Sequence, residues 1–198
     1  DVYKRQKPLG IYFTNSKLFV CEYGMLSKYD RGVDWQLSNR VVLIDDIPTG
    51  NHQTNAINAL PNGTLIWHSG STCNICQEDD PRNAALLWVD PETGDHGVIA
   101  SGVRNSFDGV WIDSMGYLFT DNGRDWEGNH PPEEINLLVE GESYGWPDDD
   151  PDNPVPEGTQ GPVRRVLRLQ RGPPTDPRGA SPEIWTCGVW MEDHDERG

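Results

Sequence analysis

Three loops of the sequence carry residues whose types could do chemistry together. In chain order they contain His52, then Arg104 with Asn105, then Gly123. A neutral imidazole accepts a proton near working pH, and a guanidinium binds anionic or carbonyl oxygens through its planar fork. Backbone carbonyls of a glycine-containing turn suit a hard, oxygen-seeking ion such as calcium.

Each of these residues also has a purely structural explanation. His52 could be an ordinary polar loop residue, and Arg104 could pair with one of the many acidic side chains. Asn105 could cap a turn, and Gly123 could be present only for a positive φ. The residues alone leave both explanations open.

A repeated segment supplies the elements that would position these loops. The segments 17–24 (KLFVCEYG), 64–70 (TLIWHSG) and 117–123 (YLFTDNG) align as one recurring strand that ends on glycine. Aligning Gly63 with Gly116 gives a period of roughly 50 residues, which lies in the range of propeller blades.

Further strands are predicted between and after these copies, separated by turns rich in Gly, Pro and Asp. They cover 84–90, 97–103, 107–113 and 133–140. Few windows show a helical period. We therefore predict an all-β chain built as a β-propeller, in preference to a β-sandwich, with about three to four blades of four short strands.

The charge and hydropathy exclude two classes of partner. The chain has 198 residues, with Asp+Glu 32 against Lys+Arg 16 and a net charge of -16, so nucleic acid is not expected to bind. The mean hydropathy is -0.67. The longest apolar runs, 41–44 and 84–89, are strand-length and far short of the ~20 residues of a membrane span.

The four cysteines are Cys21, Cys73, Cys76 and Cys187. The Cys73-x-x-Cys76 spacing fits a redox pair, a metal site or a disulfide. A c-type haem would need histidine where Gln77 stands, and zinc would want a second close pair. A structural disulfide in an oxidising compartment is the favoured interpretation.

Both ends of the chain differ in character from the middle. Residues 1–6 (DVYKRQ) are interpreted as a non-native sequence scar and 7–162 as a partial β-propeller domain. Residues 163–198, rich in Arg, Pro and Gly, are interpreted as an irregular or frameshifted tail. Because a propeller protects its edges only when its ring is closed, we expect the chain to be a fragment.

An ordered set of motifs resembles the glucose/sorbosone dehydrogenase family of soluble quinoproteins. The motifs are GVRN at 102–105, TDNG at 120–123, EINL at 134–137 and YGWP at 144–147. Any one tetrapeptide is weak, but their order and spacing match as well as their letters.

The resemblance implies a six-bladed β-propeller that binds pyrroloquinoline quinone and calcium and oxidises a sugar or related alcohol. His52 falls at the position of the catalytic base, where it would take the hydroxyl proton as the hydride leaves for the quinone. Calcium would act as a Lewis acid on the quinone oxygens.

The resemblance also assigns the remaining contacts. Arg104 and Asn105 match the pair that contacts the quinone, and Gln53 is expected to bind the cofactor with them. The backbone carbonyls of Gly123 and Arg124 are expected to hold the calcium ion. The implied setting is periplasmic or secreted, with a sugar as substrate and a cytochrome c as possible electron acceptor.

Three features depart from the family pattern. Asn51 stands where Asp is frequent, so the support of the base is altered, and Arg124 replaces a more usual proline. The family draws further cationic cofactor contacts from later blades, and the chain ends before them. The chain by itself is therefore expected to bind quinone poorly and to be inactive.

Two alternatives remain open. A calcium-dependent sugar lactone hydrolase of the gluconolactonase/regucalcin type would use Asn105 and Asp121 at the metal, although the EINL and YGWP motifs weigh against it. A propeller that binds a partner without catalysis is the other alternative, and the presence of Asn51 keeps it open.

Overall fold

The computed structural model describes residues 8–52, 56–123 and 134–147, and it contains only strands and irregular segments over these ranges. No helix long and apolar enough to cross a membrane occurs among them. The first sheet contains β1 (Gly10–Phe13), β2 (Lys17–Glu22), β3 (Met25–Arg31) and β4 (Leu37–Ile44). The second contains β5 (Ile57–Ala59), β6 (Leu65–Ser69), β7 (Ala85–Val89) and β8 (His96–Ser101). The third contains β9 (Gly109–Ile112), β10 (Gly116–Asp121) and β11 (Glu134–Leu137).

Each sheet is an antiparallel meander in which strands that follow one another in the chain are hydrogen-bonded neighbours. Two sheets have four strands, and the described part of the third has three. Successive small meanders of this kind are propeller blades. The predicted all-β, incomplete β-propeller is confirmed.

The sequence repeat corresponds to one structural position. Its three copies are β2, β6 and β10, the second strand of each blade. Of the paired glycines, Gly63 lies in the turn before β6 and Gly116 is the first residue of β10, with φ of 89° and 106°. Glycine reaches such angles without a steric penalty, so each turn requires it.

The blades pack face to face, and β6 lies between two neighbours. Leu65 and Trp67 belong to the core shared with the first blade, whereas Ile66 packs in the core shared with the third. Both faces of β6 are therefore buried. This explains why the strand begins with a continuous apolar run at 65–67 rather than an alternation. Burying each such large side chain contributes about 1.5–3 kcal/mol.

A buried polar cluster joins the second blade to the third. The His68 side chain, 1 % exposed, pairs through Nδ1 with the Ser106 hydroxyl and through Nε2 with the Tyr117 hydroxyl, both at 2.7 Å. Asn58 Nδ2 donates to the same Tyr117 oxygen at 3.1 Å. Burial lowers the pKa of His68 to about 4, so the imidazole is neutral at pH 7.

The order of strands in each meander determines at which end of the blades the loops with candidate site residues lie. In an antiparallel sheet every second connection lies at the same end. The segments that enter β5, join β6 to β7, join β8 to β9 and follow β10 therefore share one end of the blades. This end carries all the candidate site residues that the structure describes.

The cysteine prediction is confirmed where the structure tests it. Cys73 and Cys76 form a disulfide in the β6–β7 connection, and Cys21 is a buried free thiol. Cys187 lies outside the described residues.

Candidate functional site

His52 is held against the segment that follows β6. Its backbone N–H donates to the Ser71 carbonyl at 3.0 Å, and its ring Nδ1 lies 2.7 Å from the Ser71 hydroxyl. Gly70 makes this approach possible, since a Cβ there would lie 1.5 Å from the His52 carbonyl oxygen. The half-buried imidazole is thus fixed through one ring nitrogen.

Ser71 connects His52 to the next candidate residue. It is fully buried, its hydroxyl donates to the Cys73 carbonyl at 2.7 Å, and its backbone N–H donates to the Arg104 carbonyl at 2.9 Å. His52 and Arg104 are therefore joined by a short chain of hydrogen bonds. Ser71 was not singled out from the sequence, because its importance depends on the neighbours that it contacts.

The Arg104 side chain is 2 % exposed and cross-links two loops. Toward the disulfide turn, Nε donates to the Asn74 carbonyl at 3.2 Å and Nη2 to Asn74 Oδ1 at 2.6 Å. Toward the turn after β10, Nη1 donates to the carbonyls of Asn122, at 3.1 Å, and Gly123. The guanidinium thus ties the second blade to the third at the candidate site.

Asp121 organises the loop that carries Arg104 and Asn105. Its two carboxylate oxygens accept from the backbone N–H groups of these residues, at 3.0 and 2.7 Å. Burial raises the pKa of Asp121 to about 7, while these N–H donors oppose the rise. The lactone hydrolase alternative would use this carboxylate to bind a metal ion. The backbone N–H groups of Arg104 and Asn105 compete with such an ion for the two carboxylate oxygens.

Asp121 could have been found from the sequence as a buried carboxylate. Tyr117, Phe119 and Asp121 alternate along β10, and all three are buried. Period-two spacing therefore places the carboxylate on the inward face of the strand. The lactone hydrolase alternative instead assigns this carboxylate to a metal ion.

Asn105 has an oxygen that the described part of the chain leaves unsatisfied. Its backbone carbonyl accepts from the Asn122 N–H at 3.2 Å, but its side-chain Oδ1 is buried and has no hydrogen-bond partner among the described residues. Leaving a buried acceptor unpaired costs about 1–3 kcal/mol. A ligand that offers an N–H or O–H group would remove this cost.

The predicted metal contacts fit the structure less well. The Gly123 carbonyl already receives a hydrogen bond from the Arg104 guanidinium, so calcium at that oxygen would stand beside a second positive charge. Arg124, the other predicted metal contact, lies outside the described residues, as does the predicted cofactor contact Gln53.

One other group of metal-ligating residue types occurs near the site. Cys73, Cys76 and Glu78 place their ligand atoms within 4.8 Å of one another. The two sulfurs are bonded as a disulfide, however, and the Glu78 carboxylate accepts from Thr72 N at 2.8 Å and from Thr72 Oγ1 at 2.6 Å. The group therefore braces the turn.

Comparison with known proteins identifies the fold. No family model and no curated protein matches the chain. The holo PQQ domain of pyranose dehydrogenase from Coprinopsis cinerea matches with a TM-score of 0.59 at 16 % identity, over 80 % of this chain and 48 % of that one. PQQ-bound aldose sugar dehydrogenase from Streptomyces coelicolor matches with 0.58 at 20 % identity, over 75 % and 48 %.

A third solved structure, an oxidoreductase (glucose dehydrogenase) from Thermus thermophilus, matches with a TM-score of 0.67 at 21 % identity, over 85 % of this chain and 59 % of that one. At such identities the likeness shows a shared fold. The chain spans about half the length of the solved structures that it matches.

Proposed function

We propose that the chain carries part of the active site of an oxidoreductase that oxidises a sugar or related alcohol with a quinone cofactor. One observation carries the proposal: the loops bearing His52, Arg104 and Asn105 are hydrogen-bonded together at one end of the blades. The fold is shared with sugar dehydrogenases, two of which are described with PQQ.

His52 is the proposed base. Its imidazole is half-buried and held at Nδ1 by Ser71, so its position is defined while part of the ring stays accessible. A positioned imidazole that removes the hydroxyl proton of a sugar during oxidation supplies about 10²–10⁴-fold in rate.

Arg104 and Asn105 are the proposed cofactor contacts. The buried, unsatisfied Oδ1 of Asn105 supports a ligand with a hydrogen-bond donor at this place. The Arg104 guanidinium lies on the same loop and suits an anionic or carbonyl oxygen. Its donors are engaged by Asn74, Asn122 and Gly123, so a cofactor oxygen would have to take the place of one of these acceptors. Pyrroloquinoline quinone, when bound, would supply the acceptor for the substrate hydride.

Calcium is not given a step in this proposal. The ion was expected at the carbonyls of Gly123 and Arg124, and the Gly123 oxygen is taken by the Arg104 guanidinium. Calcium could use that oxygen only if the guanidinium turned away. A titration with calcium, followed by tryptophan fluorescence, would detect such a rearrangement.

The setting of the reaction is part of the same proposal. The Cys73–Cys76 disulfide supports an oxidising compartment, periplasmic or extracellular. A sugar is the proposed substrate, and a cytochrome c is a possible acceptor for the electrons that leave the quinone.

The test is sugar-dependent dye reduction by the full-length protein that contains this chain, after addition of quinone and calcium, compared between wild type and His52→Gln. We expect the substitution to lower kcat by about 10²–10⁴-fold. His96→Gln is the matched control, since His96 lies at the opposite end of the second blade, where its Nδ1 contacts the Gly94 carbonyl.

Three outcomes separate the candidate functions. Quinone-dependent oxidation that requires His52 supports the proposal. Lactone hydrolysis without quinone would replace it with the hydrolase. Absence of both activities, with quinone binding also absent, would leave a propeller that binds a partner.

A further inference from the structure

We infer that Ser71 and the disulfide-closed turn 73–76 form one positioning element, which selects the tautomer of His52 and holds the Arg104 guanidinium. The catalytic meaning of this element rests on the proposed function. Its structural part is independent of any cofactor and can be measured without one.

The tautomer follows from counting hydrogens at the Ser71 hydroxyl. A hydroxyl carries a single hydrogen, and a carbonyl oxygen can only accept. The 2.7 Å contact from Ser71 Oγ to the Cys73 carbonyl therefore uses that hydrogen. Toward His52 Nδ1, also at 2.7 Å, the same oxygen must act as the acceptor. Nδ1 thus carries the ring proton, and Nε2 carries the lone pair that accepts a proton from substrate.

The Cys73 carbonyl can accept the Ser71 hydrogen because the disulfide and the contacts of Thr72 hold its turn in place. The disulfide joins the ends of the turn 73–76. Before it, the backbone and hydroxyl of Thr72 both donate to the Glu78 carboxylate, at 2.8 and 2.6 Å. The acceptor for the Ser71 hydrogen is therefore held in place by covalent and charge-assisted contacts.

The same turn acts on Arg104. Asn74, inside the disulfide ring, offers its backbone carbonyl to Nε and its Oδ1 to Nη2. Two parallel bonds from one residue fix the plane of a guanidinium as well as its position. One short segment, residues 71–76, thus orients both the proposed base His52 and the proposed cofactor contact Arg104.

This arrangement also answers the question raised by Asn51, the position at which an Asp is frequent in the resembling family. In this chain the backbone N–H of Asn51 donates to the Thr72 carbonyl at 2.9 Å, which brings the loop beside Ser71. Orientation of the base then comes from a neutral hydroxyl–carbonyl pair, Ser71 with Cys73.

The test is ¹⁵N NMR of protein labelled at histidine, with the His52 signals identified by their loss in His52→Gln. We expect wild type to show a protonated Nδ1 and an unprotonated Nε2 at neutral pH. Ser71→Ala removes the acceptor, and loss of a neutral hydrogen bond of ordinary net strength shifts the tautomer ratio about 2- to 13-fold toward Nε2–H. A circular dichroism spectrum and a urea midpoint check that this variant is folded.

Ser69→Ala is the matched control. Ser69 is also buried, two residues away, and its hydroxyl has no hydrogen-bond partner among the described residues. Its removal should leave the His52 signals unchanged. A purely structural effect of deleting a buried serine hydroxyl would move both variants alike.

Reduction tests the turn separately, without any substitution. Dithiothreitol donates two electrons and two protons to the Cys73–Cys76 bond, giving two thiols and oxidised dithiothreitol. We expect the His52 tautomer ratio to shift in the same direction as in Ser71→Ala. Unchanged His52 signals after both Ser71→Ala and reduction would overturn the inference.

The outcome is distinguishable from failure of the proposed function. Tautomer shifts without any quinone-dependent activity would keep the positioning element and reject the dehydrogenase. Activity that requires His52 but is insensitive to Ser71→Ala, together with unchanged NMR signals, would keep the dehydrogenase and reject the positioning element.

Discussion

His68 should make the stability of the protein depend on pH, and the sign follows from its burial. In the folded protein its pKa falls from 6.5 to about 4, because burial disfavours the imidazolium. Between pH 4 and pH 6.5, His68 binds a proton in the unfolded chain but not in the folded protein. The stability that the neutral imidazole provides is therefore complete above pH 6.5 and is lost as the pH falls toward 4.

The magnitude follows from the same two values. Relative to pH 7.5, the loss at pH 4.5 amounts to about 2.5 kcal/mol for one group with this shift. The negative charge of Asp108 opposes part of the fall in the His68 pKa. The Tyr117 hydroxyl, which pairs with His68 Nε2, has a pKa raised by burial. Neither is expected to reverse the sign.

A total stability curve would hide this effect. The pKa of Asp121 is raised to about 7, so its stabilising contribution has the opposite sign and is lost as the pH rises. The two slopes overlap between about pH 4 and 6.5 and offset each other. The quantity to measure is therefore the difference in unfolding free energy between wild type and a variant that lacks only the histidine.

The assay is urea unfolding followed by tryptophan fluorescence at several pH values, for wild type and His68→Gln. At pH 7.5 wild type should be more stable by about 1–3 kcal/mol, the net value of two buried hydrogen bonds. At pH 4.5 this advantage should be smaller by about 2.5 kcal/mol, which leaves a difference between about 0.5 kcal/mol in favour of wild type and about 1.5 kcal/mol in favour of the variant. Ser106→Ala, which removes one partner but keeps the histidine, should retain the wild-type slope.

A difference between wild type and His68→Gln that stays constant from pH 7.5 to 4.5 would refute the reasoning. It would mean that His68 is protonated in the folded state, or that its charge is compensated by a neighbour.

Three further predictions concern packing and the candidate site. Trp67→Ala should lower the free energy of unfolding by about 3–5 kcal/mol, because it empties a fully buried position between two blades; calorimetry or urea unfolding measures it. Gly70→Ala should displace the His52 loop, since a Cβ at this position meets the His52 carbonyl at 1.5 Å; a changed His52 NMR signal with the fold retained is the expected result. Lys28→Met should cost about 1–3 kcal/mol in urea unfolding, because the buried ammonium donates to the carbonyls of Pro91 and Glu92 at 3.0 and 2.9 Å. An unchanged unfolding free energy in Trp67→Ala or Lys28→Met would contradict the packing described.

Much of the fold is predictable because its signals are local. The repeated second strands are visible as apolar runs that close on glycine, and turn residues mark the connections between them. The pairing of Cys73 with Cys76 depends on a separation of three residues, which already limits the alternatives. The strands β1, β3 and β5 were not singled out, because each is short or lacks a clear apolar period.

The loops that carry candidate chemistry could also be named from the sequence, through residue type and motif order. His52, Arg104, Asn105 and Gly123 were selected in this way, and the structure brings all four to one end of the blades. That shared end is a consequence of the meander. It depends on the even number of strands between His52 and Arg104, and the missed strand β5 is needed for that number.

The contacts between those loops were decided by the tertiary structure alone. His52 meets Ser71 across 19 residues, and Arg104 meets Asn74 across 30. Serine and asparagine are common turn residues, and no local pattern distinguishes one that orients a neighbouring loop from one that caps its own. Which oxygens accept from Arg104, and which ring lies against the Ser71 hydroxyl, depend on how the blades pack, and packing is a property of the whole assembled core.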